Sequence, residues 1–462
     1  MNNIKIISDF IKYLSAGIIL RIVNIIILPI LFIFISSNQY GDSILTLSYI
    51  SFLSPFITLN FGSGALRLIY SFDTTQDKLN KLKEIILLVS CTVICLSIVL
   101  GIISAFTIPI VLTYSPIWLI LAASTKAIVN FLLNILVALE RSRVFSIFLI
   151  IQGIGAVSVA LIYAIFSPNH FSIHPIASSL TVDGIILIIL FKNLNLFNTN
   201  KLPTRKDIKY IIRYSLLHLP NMLSGVIVEN IMKLVLGHRV NSNSVGIYHI
   251  YIQLQSISGQ LMGSVRNSLV PEYYRIAKNE NKLSNWISLY FSMNVAIHIL
   301  TLIVSPIIFY FFFKEYNYVF ELSTLVLTSG FLIEIMNYFK INYEIELKPH
   351  LGSIVSIFQG ILLAVLVSIF INPSMQDDLP FEIHFISTLI TYIIVILFDS
   401  RIKYILLNKR IPLNFHFIIV LFSMLTLLMN SFRHMPIYAG FLMIISIWTY
   451  KTIKKSLKWN NG

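Results

Sequence analysis

Residues 85–106 read IILLVSCTVICLSIVLGIISAF and contain no charged side chain. A helix rises about 1.5 Å per residue, so about 20 apolar residues cross the roughly 30 Å hydrocarbon core of a bilayer. This stretch is therefore long enough to span a membrane. Cys91 and Cys95 lie one turn apart within it, offer no disulfide framework and are interpreted as packing residues.

The composition of the whole chain also places it in a membrane. Of its 462 residues, 56% are hydrophobic and 12% are charged, whereas about a quarter of the residues in a soluble protein are charged. So much apolar surface has to face lipid. The formal net charge of +14 would favour a nucleic-acid partner in a soluble protein. Because the basic residues here lie between apolar runs, we expect membrane lipids and no nucleic acid.

The same length criterion, applied along the chain, predicts an all-α integral membrane protein with fourteen spanning helices. No cleavable signal sequence is expected, because the first apolar stretch is too long for one and lacks a small-residue cleavage site. The last two spans are closely spaced, which leaves twelve as the alternative count. The predicted spans lie near residues 10–34, 43–66, 84–106, 113–137, 144–166, 175–192, 210–236, 244–268, 286–312, 321–340, 351–371, 382–400, 414–431 and 435–452.

Loop charge orients these spans. With a cytoplasmic N-terminus, most basic residues fall in inner loops or in the C-terminal tail, and only Arg239, Lys314 and Arg433 fall outside. Omitting one helix would destroy this alternation, so the positive-inside rule favours an even number of spans with both termini in the cytoplasm. The outer loops are short, and the longest, near residues 372–380, is too small to form a domain.

The sequence repeats weakly at a spacing of 205 residues. Tyr40 and Gly41 open the second predicted span, and Gly246, 205 positions after Gly41, opens the eighth together with Tyr248. Two related lobes with a substrate path between them are a common transporter plan. We therefore predict two six-helix lobes around a central cavity. The predicted division is residues 1–192 for the first lobe, 193–209 for a basic cytoplasmic linker, 210–400 for the second lobe, and 401–462 for a helix pair with a basic tail.

Short motifs carry a resemblance to a known family. They are the opening run with Pro29, Tyr40-Gly41, Gly62-x-Gly64-Ala65-x-x-Arg67, Tyr214-Ser215-Leu216-x-x-x-Pro220, Leu236-Gly237, Val245-Gly246-Ile247-Tyr248, and Pro271 with Tyr273. In these motifs the chain resembles the polysaccharide-transport branch of the multidrug/oligosaccharidyl-lipid/polysaccharide (MOP) exporter superfamily, in particular the Wzx-type O-antigen flippases. It departs from the family pattern on the seventh helix, which carries Glu229 and Lys233.

That resemblance implies a function. Such flippases move undecaprenyl-diphosphate-linked sugar units from the cytoplasmic to the periplasmic leaflet by alternating access. For this chain the resemblance implies a flippase of the bacterial inner membrane, acting on an O-antigen or related surface-polysaccharide repeat unit. A lipid-linked oligosaccharide is then the substrate, and a polymerase of the same pathway is the implied partner. No ATP-binding motif is present, so we expect an ion gradient, the membrane potential or downstream consumption of the product to drive transport.

Basic residues at membrane depth are the candidate substrate ligands. Arg21 and Lys126 lie mid-span and Lys233 lies near an outer end, where a charge costs about 2.5–3.5 kcal/mol on insertion scales. Guanidinium and ammonium groups bind diphosphate oxygens. The structural alternatives are an ion pair for Arg21 and snorkelling or pairing with a neighbouring acid for Lys233. Arg67 and Arg266 end two spans on the cytoplasmic side, where they either guide the headgroup or only follow the positive-inside rule.

Acids within the predicted spans are the candidate ion-coupling residues. They are Asp183, Glu229 and Glu334. A carboxylate in a water-filled cavity can exchange H⁺ or Na⁺ during transport. Service as charge partners for the basic residues would explain all three equally well.

Other functions are less favoured by the sequence. A multidrug or cation antiporter of the same fold should line its cavity with acids, and Arg21 and Lys126 argue against that. A membrane polysaccharide polymerase or polyprenyl-dependent glycosyltransferase needs larger outer loops to hold sugars and catalytic groups. There is no nucleophile elbow and no HExxH motif, so we expect neither an enzyme nor a cofactor. His170 and His174 lack a nearby carboxylate, and no metal site is predicted.

Overall fold

The structure is a computed structural model. Every regular element within its described residues is a helix, as predicted. The predicted spans 414–431 and 435–452 and the candidate ligand Arg21 lie outside the described residues. The described residues are 23–24, 26–70, 72, 74–107, 115–139, 141–194, 196, 203–276, 290, 292–302, 304, 325–337, 349–371 and 379–398.

Helical residues occur in each of the first twelve predicted spans. A 3₁₀ turn, Pro168–Ile173, precedes α7, and a π-helical turn, Ser179–Asp183, separates α7 from α8. The helices are α1 (26–34), α2 (Ser37–Thr58), α3 (Phe61–Tyr70), α4 (Thr75–Thr107), α5 (Pro116–Ala138), α6 (Ser142–Phe166), α7 (His174–Ser178), α8 (Gly184–Asn193), α9 (Arg205–Arg239), α10 (Ser242–Ile276), α11 (Ser292–Leu302), α12 (Leu325–Asn337), α13 (Pro349–Phe370) and α14 (Leu379–Phe398).

Several of these helices are suited to a bilayer. Helices α2, α9 and α10 have 22, 35 and 35 residues but carry more polar side chains than the apolar spans. The described part of the chain is therefore that of a multi-pass membrane protein, and the count of fourteen spans stays a prediction. Among the described residues, four stretches are long and apolar enough to cross a membrane: Gln76–Ile102, Pro116–Leu136, Arg143–Phe166 and Pro168–Asn193.

The predicted second span, residues 43–66, is not one continuous helix. Between α2 and α3 stand Leu59 and Asn60, with φ angles of 46° and 55°. A left-handed residue ends a helix because it turns the backbone out of the hydrogen-bonded path, and asparagine adopts this conformation more readily than most residues. Arg67 therefore lies on a short helix of its own and not at the end of a long span.

The helices of residues 30–249 share a buried apolar core. Helix α2 packs against α5 and α9, α3 packs against α9, and α4 packs against α5. Gly64 brings α3 close to α9, since a Cβ on Gly64 would lie 2.6 Å from the carbonyl oxygen of Ile211. Small residues let membrane helices approach in this way. Fully buried members of the core include Ile50, Ile57, Ala65, Ile69, Leu82, Val129, Leu132 and Leu136.

The chain divides into two compact units, residues 30–249 and residues 1–29 with 250–462. Helix α9, which the sequence analysis assigned to the second lobe, belongs to the unit of residues 30–249 and packs on α2 and α3 there. The predicted lobe boundaries at residues 192 and 210 stay a prediction.

The repeat in the sequence corresponds to a reciprocal contact between α2 and α10. A Cβ on Gly41 would overlap the carbonyl oxygen of Ser242, and a Cβ on Gly246 would lie 3.1 Å from the carbonyl oxygen of Ser37. The two serines are 205 positions apart, as are the two glycines. The hydroxyl of Ser242 also donates a hydrogen bond to Asp42. Equivalent residues of the two repeats thus pack against each other at the N-terminal turns of both helices.

Candidate functional site

Asp183 lies buried at the contact between α6 and the π-helical turn. It is the last residue of that turn and is 4% exposed. The amide Nε2 of Gln152, on α6, donates a 2.7 Å hydrogen bond to Oδ1 of Asp183. One turn further along α6, a Cβ on Gly155 would lie 2.6 Å from Cγ1 of Val182. Gly155 therefore allows the turn to pack closely against α6, and π-helical turns are frequent at functional sites.

Lys126 is the cation next to this acid. It lies in the middle of α5, half-buried, and α5 packs against the π-helical turn. Lys126 interacts electrostatically with both Asp183 and Glu229. It makes no direct ion pair with any residue that the structure describes. A cation held near two acids without a fixed partner is available to a ligand.

Helix α9 contributes Glu229 and Lys233, one turn apart. Glu229 is exposed, whereas Lys233 is only 4% exposed. Lys233 is attracted by Glu229 and repelled by Lys126. Its burial does not fit the snorkelling alternative, in which the ammonium would reach the outer interface. Glu229 attracts Lys233 without a direct ion pair between them, so the pairing alternative stays a prediction.

These four residues form a chain of alternating charges in the order Asp183, Lys126, Glu229, Lys233, which we call the charge chain. Electrostatic attraction links each residue to the next. The charges cancel when all four groups are ionised, which makes them tolerable at membrane depth. The lysines can bind an anionic ligand and the acids can take up a proton. Because the lysines and the acids are electrostatic partners, binding of an anion to a lysine favours proton uptake by an acid, and proton uptake favours binding of the anion.

From the sequence, the two lysines are predicted substrate ligands and the two acids are predicted ion-coupling residues, with no link between the two pairs. In the structure electrostatic attraction links the four, with no direct ion pair between any two of them, and their roles stay predictions. Gln152 was missed, because a neutral side chain in an apolar helix gives no charge signal. Tyr248, on α10, is a second missed neighbour; it is buried and interacts electrostatically with Glu229. A polar side chain inside an apolar stretch is the one sequence signal that would have indicated Gln152.

Arg266 and Glu334 form a direct ion pair within the unit that contains residues 250–462. Nη1 of Arg266, on α10, lies 3.0 Å from Oε2 of Glu334, on α12. The hydroxyl of Tyr290 donates to Oε1 at 3.1 Å, and Nδ2 of Asn337 donates to Oε2 at 3.2 Å. Glu334 is buried and receives three donors. For Glu334 the structure shows the charge-partner arrangement that the sequence left open as an alternative to ion coupling, and Arg266 is that partner.

Arg67 is separate from both clusters. It lies half-buried in the last turn of α3, where a cation complements the negative end of the helix dipole. No described residue pairs with it directly. Its proposed role in guiding the substrate stays a prediction, as does the role of Arg21.

A further ionic network connects α4 with the beginning of α9. Nζ of Lys81 lies 2.6 Å from Oε2 of Glu84 and 2.7 Å from Oδ2 of Asp207. Asp207 also forms a capping box with Thr204 at the N-terminus of α9. Burial raises the pKa of Asp207, but the hydrogen bonds from Lys81 and Thr204 outweigh it, and the net effect lowers that pKa. The sequence alone shows Lys81 only as one of the basic residues expected in the inner loops.

His174, at the end of the 3₁₀ turn, has a packing role, whereas His170 is exposed. Nδ1 of His174 donates a 2.9 Å hydrogen bond to the carbonyl oxygen of Phe171. The imidazole ring of His174 and the phenyl ring of Phe171 have centroids 4.4 Å apart. Within the described ranges, no group of three or more His, Cys, Asp or Glu side chains is placed to hold a metal ion.

Solved structures with the same fold include MATE transporters and a further MOP superfamily transporter. An outward-facing multidrug resistance MATE family transporter of the MOP superfamily gives a TM-score of 0.57 at 12% identity, covering 86% of this chain and 96% of that one. An inward-facing structure gives 0.57 at 12%, covering 84% and 98%. A MOP superfamily transporter from Pyrococcus furiosus gives 0.54 at 13%, covering 86% and 95%. At these identities the similarity defines the fold alone.

The fold and its long apolar helices define the class: an all-helical, multi-pass membrane protein with a MATE-like fold. Residues 6–277 match the family described as "Polysaccharide biosynthesis protein". The match covers more than half of the chain, and the chain belongs to that family. The resemblance expected from the motifs is thus confirmed at the level of family and fold. A comparison with curated proteins gives no match.

Proposed function

We propose that this protein is a flippase that moves a lipid-linked oligosaccharide across the bacterial cytoplasmic membrane, with both termini in the cytoplasm. Its substrate is an undecaprenyl-diphosphate-linked repeat unit of O-antigen or a related surface polysaccharide. The observation that carries the proposal is the charge chain from Asp183 to Lys233, at membrane depth in a member of a polysaccharide biosynthesis family. A diphosphate headgroup is an anionic ligand that justifies two lysines at that depth.

The lysines of the charge chain are the proposed headgroup ligands. Lys126 and Lys233 exchange their acidic partners for phosphate oxygens when the substrate enters, and recover them when it leaves. Such contacts are stronger in the low dielectric of the membrane than in water. The sequence predicts that Arg21 lies in the middle of the first span. At that depth its planar guanidinium group can donate two hydrogen bonds to one phosphate group. Arg67 is proposed to attract the headgroup at the cytoplasmic side, whereas Arg266 is occupied by Glu334.

The acids of the charge chain are the proposed sites of a coupling ion. When the headgroup takes the lysines, Asp183 and Glu229 lose their counter-charges, and binding of H⁺ or Na⁺ restores neutrality. Headgroup and cation therefore favour each other's binding, and this linkage is reciprocal. The membrane potential, negative inside, favours outward movement of the diphosphate by about 2.3 kcal/mol per 100 mV for each of its negative charges that no co-bound cation neutralises. A polymerase of the same pathway, by consuming the product, would draw transport in the same direction.

Substitution of Lys126 tests the proposal in a strain lacking the native gene. Lys126→Ala is expected to abolish surface polysaccharide and to leave the lipid-linked intermediate on the cytoplasmic leaflet. Loss of one charge-assisted contact should weaken headgroup binding about ten- to a hundred-fold. Lys126→Arg should retain part of the activity. Surface polysaccharide is measured by gel analysis, and the leaflet of the intermediate by its access to an external modifying enzyme.

Thr125→Ala is the matched control, because the Thr125 hydroxyl bonds to the carbonyl oxygen of Leu121 on the same helix. It should leave transport unchanged. Normal surface polysaccharide from a well-expressed Lys126→Ala protein would contradict the proposal.

A multidrug or cation antiporter is the second candidate, and Asp183 and Glu229 in the charge chain are the observation that favours it. The solved transporter from Pyrococcus furiosus is described by a reverse polarity of its binding pocket that suggests a different function, so pocket polarity is the relevant criterion within this fold. The half-buried Lys126 favours an anionic ligand here. Drug hypersensitivity of the deletion strain with normal surface polysaccharide would decide for the antiporter.

A further inference from the structure

Asp183 and Glu334 are both buried acids, but their surroundings differ. Glu334 receives hydrogen bonds from three donors, one of them a guanidinium. Asp183 receives one, from Gln152, and its Oδ2 makes no hydrogen bond to any described residue. An ionised carboxylate offers about four acceptor positions. Burial with so few donors favours the neutral, protonated form whenever a counter-charge is removed.

We propose that Gln152 is a positioning residue that holds Asp183 in both its ionised and its protonated form, and that Asp183 is the proton-carrying acid of the charge chain. This inference rests on the proposed function for its role in transport. The chemistry follows from the amide, which is both donor and acceptor. Nε2 donates to the carboxylate, and after protonation Oε1 can accept the new O–H once the amide turns over.

A single charged side chain among the described residues, Lys126, acts directly on Asp183. Lys126 on α5 is the cation that interacts with it, α6 presents the neutral amide of Gln152, and no other charged group among the described residues acts on Asp183 directly. Glu229 and Lys233 on α9 act through Lys126. A headgroup that binds Lys126 therefore removes the cation on which the ionised form of Asp183 depends.

The close packing of α6 against the π-helical turn keeps the amide of Gln152 next to the carboxyl group of Asp183. Gly155 lies three residues after Gln152, and a Cβ there would lie 2.6 Å and 3.0 Å from the two γ-carbons of Val182. Valine has a stiff χ1 torsion and cannot swing away easily. An alanine at position 155 would therefore push the turn, and Asp183 with it, away from Gln152.

Infrared difference spectroscopy of the purified full chain in liposomes, titrated with acid in the absence of substrate, tests the inference. The wild type should show the band of a protonated carboxyl that is missing in Asp183→Asn. In Gln152→Leu that band should shift in frequency and appear about one to two pH units higher, the equivalent of one hydrogen bond to a charged group. Gly155→Ala should act in the same direction, and Val182→Ala in the same chain should reverse it.

Ser158→Ala on α6 is the control, because the Ser158 hydroxyl bonds to the carbonyl oxygen of Ile154 on the same helix; its titration should equal that of the wild type. An unchanged band in Gln152→Leu, or no Asp183 band at any pH, would overturn the inference and leave the flippase proposal standing. The expected titration in a protein that restores no surface polysaccharide would support the inference for Gln152 and overturn the flippase proposal instead.

Discussion

Single residues in this protein show how a buried charge depends on its partners. Glu334 is buried, and its carboxylate is stabilised by Arg266, Tyr290 and Asn337. Removing one member of a buried ion pair is much more costly than replacing both, because the remaining charge stays without compensation. The energetic value of Arg266 therefore lies mainly in its effect on Glu334.

Arg266→Met is expected to destabilise the protein by about 3 kcal/mol, the lower end for a buried pair, because Arg266 is still 29% exposed. The double variant with Glu334→Gln should recover most of that loss, since the glutamine leaves no charge behind. Thermal unfolding in detergent measures both. Arg67→Met, which breaks no direct ion pair with a described residue, should cost less. Equal destabilisation by the single and double variants would refute this account of the pair.

At the scale of elements, the contact between α2 and α10 depends on the absence of side chains. Both helices bring a glycine of the repeat, Gly41 or Gly246, against backbone of the other helix. A backbone neighbour cannot move aside as a flexible side chain can, so a methyl group at either position forces the helices apart. The overlap is more severe at Gly41 than at Gly246.

Gly41→Ala should lower stability by about 1–3 kcal/mol, as overpacking does in a well-packed core, and Gly246→Ala should cost less. Gly225, in the middle of α9, is the matched control, because a Cβ added there would have no described atom of a neighbouring residue within 4 Å. Gly225→Ala should be neutral or stabilise by up to about 1 kcal/mol through helix propensity. Unfolding midpoints of the three purified variants make the comparison. A Gly41→Ala protein as stable as Gly225→Ala would show that the two helices do not pack this closely.

For the whole molecule, orientation in the membrane is the property on which every functional assignment depends. Loop charge predicts cytoplasmic termini, an outer position for the 3₁₀ turn Pro168–Ile173 and an inner position for the beginning of α9. This orientation would define which end of the protein faces the cytoplasm and which faces the periplasm. Movement of a substrate past the charge chain would then have a defined direction.

Reporter fusions at Asn169 and Asp377 should score as periplasmic, and fusions at Lys206 and Lys409 as cytoplasmic, because basic loops are retained inside. Alkaline phosphatase and fluorescent-protein reporters give opposite signals at each site and control for expression. A cytoplasmic Asp377 would contradict the predicted arrangement of the second half of the chain.

The sequence predicted the helices well because apolar length is a direct consequence of bilayer thickness. The sequence also pointed to Lys126, Asp183, Glu229 and Lys233 as candidates, since a charge is conspicuous within an apolar run, and their roles stay predictions. It did not reveal Gln152, which is neutral and lies 31 residues from its partner. Such contacts depend on how neighbouring helices are rotated, and a single sequence carries no record of that rotation.

In the contact between α2 and α10, each repeat packs against the equivalent residues of the other repeat. The interface of a two-fold symmetric dimer has the same property, because the same patch of both subunits packs together. The two sides of this contact lie in one chain, so each can change without the other. Asp42 accepts a hydrogen bond from Ser242, whereas its counterpart 205 positions later is Ile247, whose side chain has no acceptor. One polar bond is therefore present where an exact two-fold arrangement would carry two, and the two sides of the contact are unequal.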